Sequence, residues 1–191
     1  MMLYTNYSIM QSDHNIGQQI QELQSKFYNG TSKNRMFKND QKLECATMVS
    51  DNLNLPTLFS SCIYIIPNQN NIYIDYQILK GFVCPNIYPQ IVEYTTNLAN
   101  QCIDKYQVFS LHINMETFTI TAAQRYKYLI ELFCNKCFQK GGQFQEQLQY
   151  IHLYNYPSII PMLRKMFSHF IDDSARGKLI LEKSNLLVKD T

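Results

Sequence analysis

Apolar residues recur with two different periods along the chain from residue 62 onward. Ile72 and Ile74 alternate with more polar residues, which is typical of a strand with two unlike faces. Ile91, Leu98 and Cys102 instead lie on one stripe of a helix. Together, these periods predict strands over 62–66, 72–77, 108–114, 148–154 and 178–183, and helices over 88–106, 121–139 and 157–171.

The order of these elements predicts the fold class. After the first two strands, a single helix separates each strand from the next, and such crossovers join parallel strands. The first two strands are separated only by the turn residues Asn68–Asn71, which predicts an antiparallel hairpin at one edge. We therefore expect an α/β fold with a mixed, mainly parallel sheet of about five strands flanked by helices.

The first part of the chain has a different character. Residues 1–61 are more polar and predict a helical N-terminal extension that packs on a main domain over 62–191. Apolar residues at helical spacing predict a first helix over 14–28 and a second, short helix over 41–53. A chain of 191 residues is long enough for one domain with a well-buried core.

The charge of the chain argues against some classes of partner. Lys and Arg number 17 and Asp and Glu number 15, and no run of basic residues exceeds two. Phosphate binding requires a concentrated basic block, so we expect neither a nucleic-acid partner nor membrane recruitment by a polybasic segment. Charged residues amount to only 17%, which indicates either a compositional bias of the lineage or a surface covered by protein partners in a larger complex.

Targeting signals and cysteine usage predict the compartment. The first ten residues carry no basic residue and resemble neither a secretory signal nor a mitochondrial presequence. No apolar run reaches the roughly 18 residues of a membrane span, so membrane contact would be at most peripheral. The six cysteines are irregularly spaced. We expect reduced thiols and a cytoplasmic or other reducing intracellular location.

Candidate catalytic groups are few. Cys134 and Cys137 form a Cys-x-x-Cys pair, but no second pair completes a zinc site, and the pair lies near the end of a predicted helix. His112 and His152 fall inside predicted strands and could share one space. No strained nucleophile turn and no phosphate-binding glycine loop accompanies them. We expect a protein that is not an enzyme and that has no metal or other cofactor.

Several short motifs, in order, carry a resemblance to a known family. The stretch Ile113–Ile120 follows a buried strand, Tyr150–Pro157 contains a strand and an Asn-x-Pro corner, Met166–Asp172 ends a helix, and Lys178–Leu181 begins the last strand. In order and spacing these segments resemble the CRAL-TRIO, or Sec14-like, lipid-binding domain. The sequence is identified as a divergent member of that family.

The resemblance implies an apolar ligand, such as a lipid tail, between the sheet and a lid helix over 157–171. Asn114 stands where the family favours Asp, and Thr117 where it favours Gly. Ser168 occupies the place expected for a head-group Lys, so the resemblance does not extend to phosphoinositide exchange. The alternative is a protein-interaction or structural subunit that uses a collapsed form of the same fold.

Pocket candidates come from the strands and from the predicted lid. The sequence leaves open which face of the strands meets the lid, and tight packing would turn the same residues into ordinary core. The candidate ligand-binding residues are Phe109, Leu111, Ile113, Tyr150, His152, Tyr154, Ile160, Leu163, Met166, Phe167 and Phe170.

Overall fold

The computed structural model describes residues 3–31, 37–137, 143–157 and 177–183. The elements before the middle of the chain are α1 (Leu3–Gly30), α2 (Lys38–Asn52), α3 (Leu55–Cys62), β1 (Ile63–Ile65), β2 (Asn71–Asp75), α4 (Tyr76–Leu79) and a 3-10 turn over Pro85–Ile87. They are followed by α5 (Tyr88–Tyr106), β3 (Phe109–Asn114), α6 (Ile120–Arg125), α7 (Lys127–Cys137), α8 (Gln143–Gln147), β4 (Leu148–Tyr154) and β5 (Leu179–Glu182).

The sheet has five strands in the order β1-β2-β3-β4-β5. β1 and β2 form an antiparallel hairpin, and β2 to β5 are parallel to one another. The residues Ile72, Leu111, Ile151 and Leu179 are aligned across the four parallel strands. The predicted α/β fold with a mixed, mainly parallel sheet is confirmed.

The two faces of the sheet differ in chemistry because alternate residues of a strand point to opposite sides. One face, the cavity face, carries aliphatic side chains and is covered by α5 and α7. The other, the aromatic face, carries rings. The cavity face includes Ile63, Ile72, Ile74, Leu111, Ile113, Ile151, Leu153 and Leu179, and the aromatic face includes Tyr64, Tyr73, His112, Tyr150, His152 and Tyr154.

The N-terminal helices join the core beside the sheet. The ring of Phe59 in α3 packs on Tyr94 of α5, with 5.4 Å between the centroids. α1 approaches the segment after α4 closely, since a Cβ atom at Gly81 would lie only 2.8 Å from Cγ2 of Ile20. The extension over 1–61 is thus helical where it is described, while its boundary with a main domain at residue 62 stays a prediction.

Helix α5 has the predicted bounds, 88–106, and its ends explain why. Pro89 lies in the first turn, where a missing N–H group is not needed. At the other end, Gln107 adopts a left-handed conformation with φ of 67° and donates its N–H to the carbonyl of Ile103 at 2.8 Å.

Several elements differ from the prediction. The strand expected over 72–77 ends at Asp75 and is followed by α4, and the helix expected over 14–28 extends over Leu3–Gly30. The short helix α8 was not predicted. The helix expected over 121–139 consists of α6 and α7, because the backbone leaves the helical conformation at Tyr126. Its first turn is capped by Thr119, with Ala122 N–H donating to Thr119 Oγ1 at 3.1 Å. Cys62 ends a helix and does not begin a strand. That helix, α3, was missed although Asn54 and Pro56 form a regular start signal.

The turn after β3 contains an unusual backbone conformation. Glu116 N–H donates to Asn114 Oδ1 at 3.1 Å, and Phe118 N–H donates to the Met115 carbonyl at 2.9 Å. These bonds close a tight turn in which Thr117 has a φ of 66°. A β-branched residue is strained in this left-handed region. The structure therefore explains why glycine would suit the position.

We expect Thr117→Gly to raise the free energy of unfolding by about 1 kcal/mol, because relief of left-handed strain outweighs the added freedom of the unfolded chain. Urea denaturation measures the change. Thr117→Ala is the matched control, since it also removes the hydroxyl that accepts from Lys80 Nζ at 2.7 Å but keeps a Cβ atom. Equal free energies of unfolding for the Gly and Ala variants would contradict the proposal that the backbone of Thr117 is strained.

Candidate ligand cavity

A cavity of about 280 Å³ lies between the cavity face of the sheet and the helices α5 and α7. The strands provide its floor, and the two helices, α4 and the turn after β3 provide its walls. Among the described residues, its lining consists of Ile63, Ile74, Tyr76, Leu79, Lys80, Val83, Ile91, Thr95, Leu111, Ile113, Met115, Phe118, Tyr126, Leu129, Ile130, Phe133, Cys134, Ile151, Leu153 and Leu179.

The described lining is almost wholly apolar. Thr95 does not offer its hydroxyl proton to a ligand, because Oγ1 donates to the carbonyl of Ile91 within the same helix at 2.8 Å. Tyr126 donates its hydroxyl to the carbonyl of Lys80 at 3.4 Å. Burial raises the pKa of both Tyr76 and Tyr126, so both phenols are protonated at neutral pH. Such a lining favours aliphatic or aromatic groups over polar ones.

The volume limits what the cavity can hold. Small-molecule sites typically enclose about 300–1,000 Å³. A cavity of about 280 Å³ lies just below this range and suits one apolar chain or one compact apolar group.

The predicted site residues do not all come together. Leu111 and Ile113 line the cavity. Phe109 is buried and packs edge to face on Phe144, with 6.1 Å between the ring centroids, and is not part of the lining. The remaining strand candidates, Tyr150, His152 and Tyr154, lie on the aromatic face, on the opposite side of the sheet.

The lid candidates fall elsewhere. Ile160, Leu163, Met166, Phe167 and Phe170, with the predicted helix over 157–171, lie outside the described residues.

Several lining residues were not among the candidates from sequence. They come from the two helices over the sheet, for example Ile91 in α5 and Leu129, Ile130 and Phe133 in α7. The sequence did mark these residues as buried, because they form the apolar stripes that predicted the helices. Periodicity alone could not show that the stripes stand off from the sheet far enough to leave a cavity.

On the aromatic face, four side chains form a hydrogen-bonded stack. The rings of His112 and His152 are nearly parallel, with 4.5 Å between their centroids. His112 Nδ1 is hydrogen-bonded to the Tyr154 hydroxyl at 2.7 Å, and His152 Nδ1 contacts Glu182 Oε1 at 2.9 Å. The two histidines thus share one space, as the strand positions suggested.

The protonation states follow from burial and charge. Burial and, to a smaller extent, the neighbouring His152 lower the pKa of His112 to about 4, with Glu182 acting in the opposite direction. Burial also raises the pKa of Tyr154 to about 12. At neutral pH, therefore, His112 is uncharged and Tyr154 keeps its proton, and the pair satisfies its own buried hydrogen-bonding groups.

Cys134 and Cys137 are buried and free, and Cys134 is also part of the cavity wall. Burial raises the pKa of each thiol to about 12, and the nearby charge of Glu131 adds to the effect at Cys134. Both are thiols at neutral pH, whereas nucleophiles and metal ligands are thiolates. Within the described ranges, no three His, Cys, Asp or Glu side chains are grouped as metal ligands.

Comparison with known proteins gives one family. The model of the CRAL/TRIO domain matches residues 76–189, which is more than half of the 191-residue chain. The match begins at the end of β2 and extends past β5, and it confirms the resemblance drawn from the sequence. No curated protein and no solved structure matches the chain. In the described parts of the chain, no helix combines the length and the apolar character needed to cross a membrane.

We expect the stability of the protein to fall as the pH decreases from about 6.5 to 4, because the unfolded chain protonates His112 at its ordinary pKa and the folded protein resists it. The pKa difference corresponds to about 3 kcal/mol, present in full above pH 6.5 and lost progressively down to pH 4. Urea denaturation at several pH values measures the loss.

The variant His112→Asn provides the control, because it keeps a polar partner for Tyr154 but does not titrate. Its stability should vary less over the same interval. A pH dependence identical to that of the wild type would assign the effect to other groups.

Proposed function

Because the chain belongs to the CRAL/TRIO domain family, we propose that it is a non-enzymatic binding module that holds one apolar ligand, such as a lipid tail, in the cavity. The observation that carries the proposal is the lining. The residues that surround about 280 Å³ are aliphatic or aromatic with few exceptions, and Lys80 is the one charged residue among the described ones. Each methylene of a ligand buried there would contribute about 0.8 kcal/mol.

The state of the titratable groups supports a role without catalysis. The two cysteines of the Cys-x-x-Cys pair are protonated at neutral pH, as their raised pKa requires. The Nδ1 atom of His112 is hydrogen-bonded to the Tyr154 hydroxyl, and the Nδ1 atom of His152 contacts Glu182 Oε1. These groups stabilise the fold in the arrangement described, and neither histidine is on the cavity side of the sheet.

A reducing intracellular compartment such as the cytoplasm is part of the proposal. All six cysteines are free and buried. Thiols persist in this state where glutathione and thioredoxin keep proteins reduced.

Native mass spectrometry of gently purified protein tests the proposal. We expect a bound mass that disappears after extraction with organic solvent. Primary alcohols of increasing chain length should then compete with a neutral fluorescent dye, with affinity rising about fourfold per methylene until the cavity is filled.

Ile113→Trp is expected to lower the affinity for these alcohols by about fifteenfold, because the larger ring occupies cavity volume and displaces roughly two methylenes of ligand. Ile180→Trp is the matched control. Ile180 is aligned with His152 and so lies on the aromatic face, and like Ile113 it is half-buried. Equal losses in both variants would indicate general destabilisation. A wild-type protein that carries no ligand and binds no alcohol would overturn the proposal in favour of an interaction or structural role.

A further inference from the structure

Two cations lie against tyrosine rings of the cavity wall. Lys80 directly follows α4, and its Nζ is 5.9 Å from the ring centroid of Tyr76. Arg125 ends α6, and its Cζ is 5.3 Å from the ring centroid of Tyr126. Both tyrosines line the cavity, and Lys80 lines it as well. The hydroxyl of Tyr126 also donates to the Lys80 carbonyl, so the two cation-bearing segments meet at the same end of the cavity.

Helix α2 brings further positive charge to this end. Arg125 Nε donates to Asn39 Oδ1 at 3.3 Å, which joins α6 to the first turn of α2. Lys42 follows Asn39 by three residues and so lies on the same side of that helix. Partial burial lowers the pKa of Lys42, and the positive charges of Arg125, Lys80 and Lys38 lower it further. Lys42 is therefore close enough to the other three charges to be repelled by each of them.

We call Lys38, Lys42, Lys80 and Arg125 the basic cluster. Among the described residues, no carboxylate forms a salt bridge with any of them. Elsewhere the chain does pair its charges, as when Lys127 Nζ approaches Glu131 Oε1 to 3.4 Å. Like charges without a paired carboxylate repel one another, and an anion bound among them would relieve this repulsion.

We infer that the basic cluster binds the anionic head group, a carboxylate or a phosphate, of a single-chain amphiphile whose tail occupies the cavity. The inference rests on the proposed function and specifies its ligand. A tail in the apolar cavity would bring its head to the end where the aliphatic part of Lys80 joins the lining and where its Nζ donates to Thr117 Oγ1 at 2.7 Å. Hydrogen bonds between an ammonium or guanidinium group and an anionic oxygen are among the stronger ones in proteins.

The cluster could not be recognised along the chain. Its members come from α2, the end of α4 and the end of α6, and no two are adjacent in sequence. The sequence shows only scattered basic residues, whereas in the folded protein three segments that carry them come together.

A comparison of three ligands tests the inference. A long-chain fatty acid carries tail and anionic head, the primary alcohol of the same length carries the tail with a neutral head, and acetate carries the head alone. Dissociation constants are measured below the critical micelle concentration by competition with a neutral dye. We expect the wild type to bind the fatty acid at least about tenfold more tightly than the alcohol, and acetate not measurably. High salt should reduce the preference.

The double variant Lys42→Gln, Lys80→Gln should reduce the ratio of the two dissociation constants to near one. Lys105→Gln is the matched control, because Lys105 is exposed at the end of α5, away from the cluster, and the charge change per site is the same. Arg125→Gln gives a second route to the same loss, and Arg125→Lys should restore part of the preference.

The outcomes separate this inference from the proposed function. Equal binding of acid and alcohol by the wild type would overturn the head-group assignment while leaving the apolar cavity intact. A preference that survives both the double variant and Arg125→Gln would also overturn it. Acetate binding as tight as that of the fatty acid would show a small-anion site independent of the cavity. Failure to bind either long-chain ligand would overturn the proposed function together with the inference.

Discussion

The packing of α5 and α7 on one face of the sheet is the constraint on which the rest of the structure depends. Parallel strands cannot be joined by a tight turn, so β2 reaches β3 through α5, and β3 reaches β4 through α6 and α7. Successive crossovers of one hand along a sheet built in a single direction lie on the same side. The two helices therefore contact each other and line the same cavity.

Both the apolar cavity and its charged end follow from this arrangement. The aliphatic side chains of the strands and the apolar stripes of α5 and α7 are removed from water when they face each other. The space between them is therefore lined by few polar groups. Polar and charged groups can then reach the cavity only at its ends. Lys80 and Arg125 occupy one such end because α4 and α6 each finish there, beside the tyrosine rings of the cavity wall. An apolar space with a cationic end is chemically matched to a molecule that is itself apolar with an anionic end.

The aromatic face of the sheet contains buried polar side chains that need hydrogen-bond partners. Its buried His112 and Tyr154 would be costly without hydrogen-bond partners, and they satisfy each other across adjacent strands. His152 stacks on His112 and turns to Glu182 of β5, so the polar groups of three parallel strands are linked in register. The aromatic face thus ties β3, β4 and β5 together, and the cavity face is left to the ligand in our proposal.

The sequence by itself determined the five strands, the long helix α5 and the class of fold, but not the short helices α3, α4 and α8. Alternation in β2 and the stripe of α5 follow from local periodicity, and Pro89 is a residue type that suits the first turn of a helix. The family resemblance was also readable, down to Thr117 at a position that prefers glycine. Only the tertiary structure decided which strand face meets the helices, and so placed Leu111 and Ile113 in the cavity but His152 and Tyr154 behind it. It alone brought Lys42, Lys80 and Arg125 together. The reason is physical: periodicity records which side of each element is apolar, whereas the space between elements and the meeting of distant charges depend on how those elements pack.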